Sequence, residues 1–398
     1  MTYMKSASSQ YRVPVTILSG FLGAGKTTVL NYILNNRSNM KVAVIVNDMS
    51  EINIDAAVLE RNTTLNRGTD QLIEMSNGCI CCTLRADLLE QIDLICSSGS
   101  YDYILIESTG ISEPMPVAET FAFLNQDGFS LSEIARLDNM ITVVNGESFI
   151  NNLSSRDIFE KEIELETKPL SDLLVDQVEY ANVILISHVD CIKDNDLQEL
   201  LAVLKNLNPS AELIPIKDGE VDLKKVLHTS NFDLPSLANA PGWMKAMSLD
   251  SHIESESESY GISSYAYKRR LPFHPKKLAN FLHTTWDNGV LLRCKGYFWS
   301  AENYLEIGML VQTGGKMFSE YVGRWWKFIE QKDWPLDIYR RKSILEKWDD
   351  MTGDCRQEIV FIGKNIDFKK LEEDLDDCLL TLDEIQQGPD FWVSLAVH

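Results

Sequence analysis

Two short stretches bring together residues whose types and spacing can do chemistry. The first, GFLGAGKTT, sets Gly20, Gly23, Ala24, Gly25, Lys26, Thr27 and Thr28 in the pattern G-x-x-x-x-G-K-[ST]. Phosphate oxygens require a loop whose backbone N–H groups converge, and glycines permit both the backbone angles and the close approach. In such a loop Lys26 reaches the β- and γ-phosphates and the Thr27 hydroxyl binds Mg²⁺. The second stretch, SNGCICCTLR, places Cys79, Cys81 and Cys82 directly after the turn signal Asn77-Gly78. A helix is expected from Leu84, and its N-terminus favours the thiolate form that binds metal. Zn²⁺ takes four tetrahedral ligands, so a C-x-C-C turn supplies two or three and leaves room for a carboxylate, an imidazole or water. Cu(I) binding and reversible oxidation use the same sulfurs and stay open as alternatives.

Other segments offer partners to these two. In ILIESTG (104–110), a hydrophobic strand delivers Glu107 to its C-terminal end, where the ligand crevice of an open sheet lies. Glu107 is then expected to hold the Mg²⁺ shell or order an attacking water, with Gly110 against the γ-phosphate. Capping of the next helix is the plainer account of Glu107. VNDMSEINID (46–55) follows the second strand, where phosphate-dependent switch segments lie, so Asp48 and Glu51 are candidates for either metal or for no ligand at all. NVILISHVD (182–190) stands where many GTPases carry N-K-x-D. Asp190 keeps the position that accepts from guanine N1 and N2, although a surface Asp opening a helix accounts for it nearly as well. His188 replaces the usual Lys, and Ser187 the usual Asn. His252 and His274 are single histidines, a pattern more often structural than ligating.

The elements that must position these residues are legible as strand-like runs: 13–20, 41–48, 101–109, 140–144, 182–187 and 212–216. Their β-branched composition without polar alternation suits a parallel sheet covered on both faces. Helical patterns at 84–96 and 197–207 lie between them, which predicts a doubly wound, mostly parallel α/β P-loop domain over 13–240. Residues 1–12 are expected to be a flexible start, without the apolar core of a secretion signal. All eight tryptophans lie at or beyond Trp243, and SLDSHIESESESYG marks an acidic Ser/Glu linker over 241–259. Strand-like SYAYKRRLPF, LLRCKGYFWS and EIVFIG then predict a smaller α+β domain over 260–398. A helix starting near Pro275 and another with Phe368, Leu371, Leu375, Leu379 and Leu382 on one face complete it.

Bulk composition excludes several classes. With 398 residues, two domains are the default. A net charge of −22 leaves no basic excess for nucleic acid, and no apolar run is long enough to span a membrane. Eight cysteines without disulfide-framework spacing point to the reducing cytoplasm and to metal or redox chemistry.

GFLGAGKTT, VNDMSEINID, SNGCICCTLR and ESTGISEP, in this order and spacing, resemble the CobW-type GTPases, specifically a bacterial branch associated with zinc starvation. YGISSYAYKRRLPFHP (260–275) is similar to the opening of that family's C-terminal domain. The resemblance implies a slow GTPase acting as a zinc metallochaperone. Zn²⁺ would sit at Cys79, Cys81 and Cys82, GTP and Mg²⁺ at residues 20–28, with an unnamed client protein as partner and a homodimer among the assemblies allowed. A zinc buffer that binds nucleotide without much turnover, and a redox-regulated NTPase, are the rival functions. The departure at Ser187-His188 bears on base selectivity, and the single His252 argues against metal storage by the linker.

Overall fold

The computed structural model describes residues 12–37, 40–47, 71–75, 84–108, 110, 114–121, 131–154, 158–159, 168–232, 260–313, 316–335 and 338–396. The chain divides into two compact units, Met1–Lys245 and Ala246–His398.

In the first unit, strands β1 (Val13–Ser19), β2 (Val42–Asn47), β3 (Gln71–Met75), β4 (Tyr103–Glu107), β5 (Ala135–Asn145), β8 (Val183–Ser187) and β9 (Glu212–Pro215) form one sheet in the order β3-β2-β4-β1-β5-β8-β9. Every pairing in it is parallel. A two-stranded ribbon, β6 (Ile158–Phe159) with β7 (Lys168–Pro169), stands apart from it. Helices α1 (Lys26–Asn36), α2 (Leu84–Ser98), α3 (Pro114–Thr120), α4 (Phe149–Ser154), α5 (Leu170–Glu179), α6 (Asp194–Leu207) and α7 (Leu223–Val226) connect the strands.

Two cores explain why the strand sequences lack polar alternation. Val42, Val44, Val46, Leu105 and Leu18 pack with Val29, Leu30, Ile33 and Leu34 of α1. The intervening residues Ala43, Ile45, Ile104, Ile106, Val15 and Ile17 turn to the other face and pack with Leu88, Ile92 and Ile95 of α2. Successive residues of one strand point to opposite sides, so a sheet covered twice must be apolar throughout. Because all strands are parallel, their C-terminal ends share one edge, and the chain reverses its winding around β1 at that edge.

At the opposite edge lies a buried polar staple. The register of β1 against β5 shifts between Val15 and Thr16, which face Leu137 and Asn139, so Asp138 is the extra residue. Its carboxylate accepts from Tyr103 Oη at 2.7 Å, from the backbone N–H groups of Thr229 and Ser230 at 2.9 Å each, and from Arg136 at 2.7 Å. Burial works to raise this carboxyl's pKa, but those donors outweigh it and the net shift is downward.

The second unit holds an antiparallel sheet, order β10-β14-β11-β12-β13, built from β10 (Ile262–Arg269), β11 (Val290–Phe298), β12 (Glu306–Thr313), β13 (Lys316–Arg324) and β14 (Gln357–Lys364). Helices α8 (Pro275–His283), α9 (Ile338–Glu346), α10 (Phe368–Asp376), α11 (Leu382–Gln386) and α12 (Pro389–Ser394) accompany it. Leu278, Leu371 and Leu375 pack on Tyr267, Cys294, Leu310 and Phe361 in its main core. A second cluster gathers Trp299, Trp325 and Trp392, so these tryptophans are core residues. Pro275 occupies the first turn of α8, as its missing N–H favours, and His274 caps that helix by accepting from Lys276 N.

Three expectations are corrected. The helix at Phe368 ends at Asp376, and Leu382, 70% exposed, begins α11 behind the capping box of Thr381 and Glu384. The sheet gains β3, and the second unit gains β12 and β13, none of which stands out as a strand in the sequence. β5 runs five residues further toward the N-terminus than MITVV suggests.

Candidate functional site

The loop after β1 has the form that phosphate demands. Gly20 has φ +138°, and a Cβ there would lie 2.3 Å from the Val143 carbonyl oxygen, so no other residue fits. Gly25 caps α1 in the left-handed conformation, φ +97°. No side chain caps α1 and no acid sits in its first turn, so the positive end of its dipole faces the loop, as an anion site requires. Lys26, only 7% exposed, curls over this concavity and donates to the carbonyls of Gly20 at 2.9 Å and Phe21 at 3.3 Å.

β4 lies beside β1 with Glu107 opposite Leu18, which brings the carboxylate to the mouth of the loop. Thr27 Oγ1 donates to Glu107 Oε1 at 3.3 Å, and Glu107 is 2% exposed. Glu107 closes β4, whereas the next described helix starts at Pro114, so it does not serve as that helix's cap. A buried carboxylate paired with a hydroxyl is a hard oxygen donor set, which fits Mg²⁺. Gly110 abuts the phosphate loop: a Cβ there would meet Leu22 N at 2.7 Å. Its carbonyl accepts from Gln177 Nε2 at 3.3 Å.

The loop after β8 is tied to the phosphate loop by a residue whose role the sequence does not announce. Ser187 Oγ lies 2.7 Å from Ala24 O, 3.2 Å from Val144 O and 2.8 Å from His188 Nδ1. Both carbonyls only accept, so the single hydroxyl proton goes to them, and His188 must donate from Nδ1. His188 is therefore pinned back toward Ser187, in the left-handed conformation at φ +56°. Asp190 follows on the 3₁₀ turn Val189–Cys191, clear of α6, which starts at Asp194 behind Lys193. After β9, Lys217 reaches Asp190 with Nζ 3.9 Å from Oδ2. Gly219, φ +76°, leans on α1, where a Cβ would lie 2.8 Å from Thr28 O. The turn composition of Lys217-Asp218-Gly219 is the one sequence signal that marks this loop.

Asp48, Glu51, Cys79, Cys81, Cys82 and His252 lie outside the described residues. Among the described residues no three His, Cys, Asp or Glu side chains converge as a metal site. Burial, with Asp93 adding to it, pushes the Cys96 thiol up to about 11. Burial likewise raises Cys355 to about 12 and Cys378 to about 11, and raises Cys294 further. These thiols stay protonated at neutral pH and are poor metal ligands.

A family model described as "CobW/HypB/UreG, nucleotide-binding domain" matches residues 14–215, half of the chain, and spans every element of the phosphate site. The chain belongs to the CobW/HypB/UreG family. It is a P-loop GTPase of that family, and its second unit carries the "Cobalamin synthesis protein cobW C-terminal domain" over residues 262–379. Among CobW/HypB/UreG relatives, the chain is 40% identical over 397 residues to a Dictyostelium discoideum protein named zinc-regulated GTPase metalloprotein activator 1, covering 96% of this chain and 82% of that one. A Schizosaccharomyces pombe protein of the same name is 28% identical over 378 residues, 89% of this chain and 83% of that one. The Escherichia coli zinc chaperone YjiA is 30% identical over 227 residues, 56% of this chain and 63% of that one. In this CobW/HypB/UreG chain no described helix is long and apolar enough to cross a membrane.

Proposed function

We propose that this chain hydrolyses GTP and uses the nucleotide state to hold or release Zn²⁺ at Cys79, Cys81 and Cys82 for a client protein in the reducing cytoplasm. The observation that carries the reading is the phosphate loop with Thr27 and Glu107 facing each other across it. The relatives' names, zinc-regulated GTPase activator and zinc chaperone, supply the direction. Topology supports the coupling: β3 ends at Met75 on the sheet edge that carries the phosphate loop, and Cys79 follows four positions later.

In this mechanism the loop N–H groups and Lys26 take the β- and γ-phosphates, where negative charge grows as the bond from Pγ to the bridging oxygen breaks. Thr27 and Glu107 would hold Mg²⁺, which supplies charge neutralisation there. Asp190 accepts from guanine N1 and N2, and Ser187 fixes the base loop to the phosphate loop. Turnover is expected to be slow until a client binds.

Competition of the protein against a chromophoric chelator tests the reading, using apo, GDP-bound and non-hydrolysable-GTP-bound protein with Cys81→Ser as control. The expected outcome is a Zn²⁺ affinity that differs by about tenfold or more between nucleotide states, ~1.4 kcal/mol of coupling, and collapses in the variant. Equal affinity in all three states would leave a zinc-holding protein without a switch.

A further inference from the structure

We propose that Lys217 reads the 6-carbonyl of the bound base and completes guanine selectivity beside Asp190, an inference that rests on the GTP reading above. Guanine presents an acceptor at O6 next to donors at N1 and N2. Adenine presents the reverse at its first two positions, a donating amine and an accepting ring nitrogen. A site that selects guanine therefore needs a donor set immediately beside the accepting carboxylate.

The geometry provides that donor from an unexpected loop. β8 and β9 are parallel neighbours in register, Ile186 opposite Pro215, and Ile216 N donates to Ile186 O at 2.8 Å. The two loops thus leave adjacent strand ends side by side. The Lys217 loop is closed by Glu220 N donating to Lys217 O at 2.9 Å, and Gly219 presses it against the first turn of α1. Its backbone is fixed to the elements that hold the phosphates, and its ammonium ends 3.9 Å from Asp190 Oδ2.

The pair is open, with side chains 63% and 47% exposed, and an ion pair that wet contributes little to folding. What it does provide is a donor and an acceptor side by side at the mouth of the site. The motif position that carries Lys in N-K-x-D is His188 here, and its Nδ1 is committed to Ser187. The cation next to Asp190 comes from Lys217 instead, 27 residues further along the chain.

The test is equilibrium binding of GDP, IDP, XDP and ADP to the full-length protein and to Lys217→Ala, Lys217→Arg, Asp190→Asn and the Lys217→Ala/Asp190→Asn double variant. Inosine keeps the 6-carbonyl and lacks only the 2-amino group. Lys217→Ala is therefore expected to weaken GDP and IDP by the same factor, about tenfold or more, and to leave ADP unchanged. Lys217→Arg, which keeps a donor, should recover most of that loss. Xanthine also keeps the 6-carbonyl and matches Asn at position 190, so in the Asp190→Asn background the loss on adding Lys217→Ala should persist for XDP. If the loss vanishes there, Lys217 merely pairs with the carboxylate and the proposal is overturned. An equal loss for GDP, IDP and ADP overturns it as well, because that is the mark of a general charge effect. Wild-type protein that binds ADP as tightly as GDP would sink the guanine reading itself, and the Lys217 proposal with it, before any variant is made.

Discussion

Glu107 is the residue on which the phosphate site turns. It is buried, it sits at the end of β4, and its Oε1 accepts from the hydroxyl expected to hold Mg²⁺. Glu107→Gln keeps the shape and removes the charge. We expect kcat to fall by about 10²-fold, with the Mg²⁺ concentration for half-maximal rate shifted upward and GDP binding weakened far less. Unchanged Mg²⁺ dependence in a steady-state GTPase assay would remove the ion-holding role. The acid and the phosphate loop were legible because both lie in contiguous sequence, where type and spacing carry the meaning. Ser187 and Lys217 were not. Spacing puts Ser187 at the first position of an altered N-K-x-D but does not show its tie to Ala24 O, and Lys217 acquires its meaning only when β9 is laid beside β8.

At the scale of elements, Asp138 shows how a strand irregularity holds the sheet together. The bulge in β5 turns its carboxylate to Tyr103 and to the backbone of 229–230, and Arg136 adds a charge. Its pKa is lowered in the folded state, so the unfolded chain binds the extra proton. This contribution to stability is then complete above the unfolded carboxylate range near ~4 and is lost as pH falls through the lower, folded value. Asp138→Ala leaves the Thr229 and Ser230 N–H groups short of an acceptor and Tyr103 Oη with only Thr16 Oγ1, at 2.8 Å, at a cost of roughly 1–3 kcal/mol for each buried donor left unpaired. Urea denaturation should find that deficit at pH 7 and a smaller one near pH 3. A difference independent of pH would mean that packing, not charge, is lost. The strands buried on both faces announced themselves by unbroken apolar runs. QLIEM did not, being five residues with Gln71 and Glu74 among them, and KMFSEYVGR did not, because Phe318 and Val322 stand exposed on an outer strand of the second sheet. The helix after Phe368 was overextended because a regular leucine spacing continues through Leu379 and Leu382, while Asp376 ends the helix and Thr381 caps a new one.

For the molecule as a whole, a net charge of −22 means that folding gathers like charges. Raising NaCl from about 0.02 M to 0.2 M shortens the screening length to below ~10 Å and should raise the unfolding temperature; a fall would show that specific ion pairs dominate. The Asp138 staple carries a last consequence, one of timing. Its partners at 229 and 230 lie far along the chain from β1, and Phe232 N donates to Asp138 O as well. On the ribosome the phosphate loop is made first, yet the carboxylate inside the sheet stays short of donors until Ser230 has emerged. The nascent nucleotide-binding unit therefore spends most of its own synthesis with the loop complete in sequence but not locked in place, and shortening the chain before Thr229 should leave it there for good.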